Sequence, residues 1–140
     1  MVGIMCRLFS ILLLAACAAL PNLSAGKVGE TVRDVGTFID LEDGNRLQVY
    51  VEDNQIFACF VDAEDIIIAS PAESIVFVVS DTRHKEEDWR TLLEPVDEAI
   101  LTSSRRFHGP YDFRARIIIR FTEGEPSSFT NLPVDLEKNM

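Results

Sequence analysis

Residues Tyr111–Phe121, Tyr-Asp-Phe-Arg-Ala-Arg-Ile-Ile-Ile-Arg-Phe, carry apolar or aromatic side chains at every odd position and charges at every even position except Ile118. Successive side chains of a strand point to opposite faces, so a period of two buries one flank and solvates the other, whereas a helix would scatter the same residues around its circumference. The stretch is therefore a long half-buried strand, and it needs a second apolar surface to cover it. The remaining chain supplies such surfaces in the same form. Leu47, Val49 and Val51 alternate with Gln48, Tyr50 and Glu52, and Asp43-Gly44 is turn chemistry that pairs them as an antiparallel hairpin with Thr37–Leu41. Ile56–Val61, Ile66–Ile68 and Ile75–Val79 are continuous apolar runs rich in β-branched residues, which suits strands covered on both faces. Ala99–Leu101 adds another strand, and Ser127–Leu136, interrupted by Pro133, a last one at an edge.

One segment departs from this pattern. Asp81–Leu93 has a capping residue in Asp81, acidic residues early, and Trp89, Leu92 and Leu93 at helical spacing. It predicts a short surface helix near 83–93, with a solvated loop pinned by Trp89 as the alternative. Pro95 ends any such helix.

The first residues read as an export signal. Arg7 is the only charge before residue 26, and it precedes an apolar run and then small residues, the order of a secretory signal. Leu14-Ala15-Ala16-Cys17 resembles the lipobox of bacterial lipoproteins, which implies cleavage before Cys17 and lipidation of its thiol. Two or more acyl chains hold a protein stably at a membrane, because each buried CH₂ contributes about 0.8 kcal/mol. Ordinary cleavage within Ala16-Cys17-Ala18 or after Ala25, and an uncleaved anchor beginning at Met1, are the alternatives. The resulting division is residues 1–16 as signal (1–25 without lipidation), 17–30 as tether and 31–140 as the folded domain.

Tyr111, two residues before the inward Phe113 and directly after the turn His108-Gly109-Pro110, resembles the tyrosine corner of immunoglobulin-like sandwiches, in which the hydroxyl bonds back to the backbone. The resemblance implies an all-β, immunoglobulin-like antiparallel β-sandwich of about seven strands. The order of the whole chain is also similar to small exported sandwich domains, some of which accompany metal-efflux machinery; no functional residue is carried over on that similarity.

Charge and motifs then narrow the chemistry. With 13 Lys and Arg against 23 Asp and Glu the net charge is −10, a field that repels nucleic acid and anionic lipid head groups. Phosphate-binding glycine loops, HExxH, paired CxxC and a nucleophile elbow do not occur in the sequence. Once Cys6 leaves with the signal and Cys17 is consumed or removed, Cys59 remains alone in an apolar run, which excludes an intramolecular disulfide and points to a buried, inert thiol. The two histidines, His84 and His108, lie in expected loops and are weak candidates for metal ligands, His84 with Glu86, Glu87 and Asp88 beside it. Arg114, Arg116 and Arg120 share the solvated flank of the long strand, where they either grip a partner or pair with acidic side chains across the sheet. No catalytic residue and no cofactor is nominated. The expectation is a non-catalytic binding or interaction module of the bacterial envelope, exported, lipid-anchored through Cys17, and meeting an envelope protein or a small ligand. A periplasmic metal-handling accessory using His84 or His108 is the second reading and a small hydrolase the third.

Overall fold

The computed structural model describes residues 26–80 and 89–140; Cys17, His84 and the signal and lipobox residues lie outside them. The described residues form one all-β unit: β1 (Thr37–Asp40), β2 (Arg46–Glu52), β3 (Gln55–Val61), β4 (Ile67–Ile68), β5 (Ala72–Val79), β6 (Trp89–Pro95), β7 (Ile100–Ser103), β8 (Asp112–Phe121) and β9 (Ser127–Asp135). All of them belong to a single antiparallel sheet in the order β1-β2-β3-β7-β6-β5-β8-β9, with β4 paired to β3. The sheet rolls on itself into a nearly closed barrel. An immunoglobulin-like sandwich of about seven strands is therefore not what the chain forms. The strand that decides this is β7, which pairs with β3 on one side and β6 on the other and so joins two strand groups that a sandwich would keep apart. Alternating side chains need only one covered face, and a rolled sheet provides that as well as two stacked ones do.

The helix expected near 83–93 is also corrected. Trp89–Leu93 is part of β6, paired residue for residue with β5 from Val79↔Trp89 to Ile75↔Leu93. Trp89, Thr91 and Leu93 face the interior by strand alternation, so burial against β5 overrides the helical spacing of the apolar residues. Residues 83–88 lie outside the described part of the chain, and no helix occurs among the described residues.

Strand β8 alternates as its sequence requires: Phe113, Ala115, Ile117 and Ile119 are buried, and Asp112, Arg114, Arg116 and Arg120 are exposed. These inward residues meet Leu47, Val49 and Val51 of β2, Ile56 and Phe60 of β3, and Ile75 and Phe77 of β5 in one core. Ala58, Ala72 and Ala115 sit among the large side chains there, which lets opposing walls approach. Phe107 closes one end of the barrel, with ring centroids 4.7 Å from Trp89, 5.6 Å from Tyr111 and 5.4 Å from Phe113.

Two hairpins fix the register. In the first, Leu41 N–H donates to Asn45 and Gly44 N–H to Leu41, so Glu42-Asp43-Gly44 is a three-residue loop in which only Gly44 takes positive φ, +87°. In the second, Asp53 and Asn54 have φ of 51° and 62° between the paired Glu52 and Gln55, the geometry of a two-residue mirror-image turn. The tip of that second hairpin is latched to the barrel end. The Asn54 carbonyl accepts from Phe107 N–H at 2.7 Å, while Tyr111 Oη lies 2.6 Å from Asn54 Oδ1 and 3.0 Å from the Phe107 carbonyl. Tyr111 thus bonds back to the backbone four residues upstream, within a barrel rather than a sandwich.

The flank of β2 opposite the core is covered as well. Gln48 and Tyr50 are buried, although alternation places them on the polar side. The segment 26–36 runs across them as a strap. Gly29 N–H and Ile67 N–H exchange bonds with Ile67 and Glu30 carbonyls at 2.8 and 2.9 Å, and Gln48 Nε2 donates to the Arg33 and Val35 carbonyls at 2.6 and 2.9 Å. Beneath the strap lies a second, smaller core of Cys59, Val61, Ile67, Ala99 and Ile100.

Candidate functional site

The outer face of β6, β5, β8 and β9 brings together residues that are far apart in the chain. Register places Leu92 beside Val76 and Val76 beside Ile118, an aliphatic row that crosses the strands at about 4.8 Å per step and ends at Ser128. The next row is Arg90, Val78 and Arg116, and Arg120 stands beside Ser74 on the other side. Arg114 flanks the same face opposite Pro133 and donates from Nη1 to the Asn131 carbonyl at 3.0 Å. Leu92 is 37% exposed, Val76 and Ile118 are half-buried, and all four arginines are exposed.

The three arginines singled out in the sequence are therefore brought together on one surface, and Arg90 joins them from β6. Among the described residues, no ion pair joins them to an acidic side chain across the sheet. Their register neighbours are Val78, Ser74 and Pro133, and the ion pair found among the described residues is Arg46 with Asp65, on β2 and the β3–β4 turn. Four guanidinium groups around aliphatic side chains can grip carboxylates in bidentate fashion while the centre of the face excludes water. Arg90 and Leu92 escaped the reading of this face because the helical spacing of Trp89, Leu92 and Leu93 hid the alternation of β6. The signal available was Arg90, Leu92 and Glu94 lying two residues apart.

The other nominated residues do not converge. His108 is exposed between β7 and β8, and no group of three or more His, Cys, Asp or Glu side chains is placed to hold a metal among the described residues. A further arginine, Arg105 after β7, is held off the candidate face: its guanidinium lies 5.2 Å from the Trp89 ring centroid and Nη1 donates to the Arg90 carbonyl at 2.8 Å.

A cavity of about 110 Å³ lies under the strap, bordered by Arg33, Gln48, Tyr50 and Cys59. Its thiol is poorly suited to nucleophilic chemistry. Cys59 is buried and donates to Gln48 Oε1 at 3.1 Å, and burial pushes its pKa up from 9.0 to about 12, Arg33 opposing weakly. Burial likewise raises Tyr50 from 10.0 to about 12, helped by Cys59 and opposed by Arg33. Both groups bind their proton more tightly in the folded than in the unfolded chain. Their stabilisation is present in full below the unfolded values, and stability is expected to fall as pH rises from 9.0 to about 12. Urea midpoints across that range check this, and a Cys59→Ser variant should lose the steepest part of the decline.

Compared with protein-family models, curated proteins and solved structures, the chain matches none of them.

Proposed function

We propose that this protein is a non-catalytic interaction module of the bacterial cell envelope, and that the face formed by Arg90, Arg114, Arg116 and Arg120 around Val76, Leu92 and Ile118 is where it meets its partner. The observation that carries this reading is an arginine rim whose register neighbours among the described residues are Val78, Ser74 and Pro133, on a chain of net charge −10. Surface arginines on an acidic protein have abundant carboxylates to pair with, and an aliphatic centre inside a charged rim is the anatomy of a protein-binding face. The expected partner is a protein surface with apolar residues ringed by Asp and Glu. Placement in the envelope rests on the export signal and on the lipobox resemblance at Cys17, and mass spectrometry of the mature N-terminus tests it.

A photo-crosslinking residue at position 118 in the intact cell tests the face. It should yield one dominant protein adduct that is absent when the crosslinker sits at position 64, in the β3–β4 turn. The double reversal Arg114→Glu/Arg116→Glu should abolish that adduct while leaving the unfolding free energy, from urea denaturation, within about 0.5 kcal/mol of the parent. Persistence of the adduct in the reversed protein would remove the face from the binding surface.

A further inference from the structure

The barrel is closed at one end and open at the other. At the closed end Thr37 Oγ1 donates to the Asp135 carbonyl at 3.0 Å and accepts from Asp135 N–H at 2.8 Å. Gly36 N–H donates to Lys138, and Val51 N–H to the Leu136 carbonyl, so the chain leaving β9 takes the place beside β2 that β1 vacates. Among the described residues, β1 and β9 are the two ends of the sheet beyond Thr37 and are not paired. Inward side chains of β9 record the opening: Val134 is buried, whereas Leu132 and Phe129 are only half-buried.

The two edges differ. Leu41 N–H bonds across the hairpin to Asn45, so by strand alternation Phe38 and Asp40 turn their N–H and C=O groups away from β2 and toward the opening. On β9, Leu136 N–H bonds to Tyr111 on the β8 side, so Asp135 and Pro133 face the opening. Pro133 has no N–H to offer, and Asn131 is in the left-handed region at φ 55°. Hence β9 cannot zip onto β1. It forms a wall, and β1 keeps a free edge. Two grooves follow the opening. One of about 380 Å³ has Phe38, Pro133 and Val134 as its apolar side and Asp34, Asp112 and Asp135 at its rim, with Lys138 the one cation. The other, of about 330 Å³, has Leu41, Pro71 and Phe121 with Glu42, Asp43 and Glu123.

We propose that this seam binds a short extended peptide segment, apolar residues alternating with Lys or Arg, which pairs its backbone with Phe38 and Asp40 of β1. Strand addition satisfies the free edge, alternate side chains enter the half-buried apolar floor, and the intervening cations meet the acidic rims. The chemistry excludes the other occupants. Carboxylate rims repel anionic lipid. A second copy presents its arginines from β8, a strand already paired on both edges, so it cannot offer them on a free strand. The site borders the arginine face at Pro133 but is built on the β1 edge and does not depend on Arg90, Arg116 or Arg120.

Fluorescence anisotropy with a labelled Lys-Val-Lys-Phe-Lys-Val peptide tests the proposal on the purified mature protein. Saturable binding is expected, with backbone amide shifts at Phe38 and Asp40. Methylation of the peptide's pairing amides, which keeps charge and apolar surface, should weaken binding about tenfold, as should the exposed-residue reversal Asp40→Lys/Glu42→Lys. Glu64→Lys, a reversal in the β3–β4 turn outside both grooves, should leave it unchanged. Equal affinity for the methylated peptide, shifts confined to other faces, no saturable binding, or self-association that occupies the seam would each overturn it.

Discussion

Ile117→Ala is expected to lower the unfolding free energy by about 2–5 kcal/mol, whereas Arg116→Ala, one residue earlier, should change it by no more than about 0.5 kcal/mol. Ile117 is 0% exposed and stands beside Phe77 on β5 and Phe129 on β9, so truncation leaves a void bounded by two aromatic rings and by β5 and β8, each hydrogen-bonded on both edges. The walls of a rolled sheet cannot collapse into that space without breaking ladders, which favours the upper part of the range. Arg116 projects outward beside Val78 and loses only solvent contacts and part of the aliphatic stem's packing. Against a total stability of about 5–15 kcal/mol for a domain, the first change is severe and the second negligible. Urea denaturation of the two variants measures the contrast, and a small effect at Ile117 would mean that β8 does not seal the core.

Gly36→Ala should be comparably damaging, by about 2–5 kcal/mol. Gly36 has φ +71°, where an L side chain is strained, and a Cβ there would lie 2.2 Å from the Val49 carbonyl oxygen and 2.7 Å from Tyr50 Cβ. Neither neighbour can retreat, since Val49 and Tyr50 are buried in a paired central stretch of β2. Gly36 also donates to Lys138 at the closed end of the barrel, so the strain falls where strap, β1 and C-terminal segment converge. Gly44→Ala is the control: it has φ +87° but nothing within 4 Å of a new Cβ. Only the backbone penalty applies, about 1 kcal/mol. If the two substitutions cost the same, close packing at Gly36 plays no part.

These contrasts also mark how far the sequence is informative. The alternation of β8 was legible because its inward and outward sets differ in charge, and Asp43-Gly44 announced the β1–β2 hairpin because left-handed backbone is cheap for glycine. The second hairpin was less visible. Asp53 and Asn54 both adopt positive φ without a glycine, and their turn is held partly from outside by Phe107 and Tyr111. Trp89–Leu93 misled because its apolar spacing fits a helix, while pairing with β5 is a long-range fact. Arg114, Arg116 and Arg120 could be assigned to one flank from sequence. Their neighbours Val78, Ser74 and Pro133 could not, since a register offset of one residue would have placed different side chains beside them.

What this sequence determined by itself is local: most of the strands though not β6, which face of β8 is greasy, where Asp43-Gly44 turns the chain, and the acidic balance of the whole. Periods of two and turn residues act within a few positions, and they hold in any all-β arrangement. The tertiary structure alone decided that β7 bridges β3 and β6, that one sheet rolls up instead of two stacking, and that β9 stops short of β1 at Pro133. Those outcomes depend on hydrogen bonds between segments tens of residues apart, whose selection reflects the packing of the complete core rather than any single pattern along the chain.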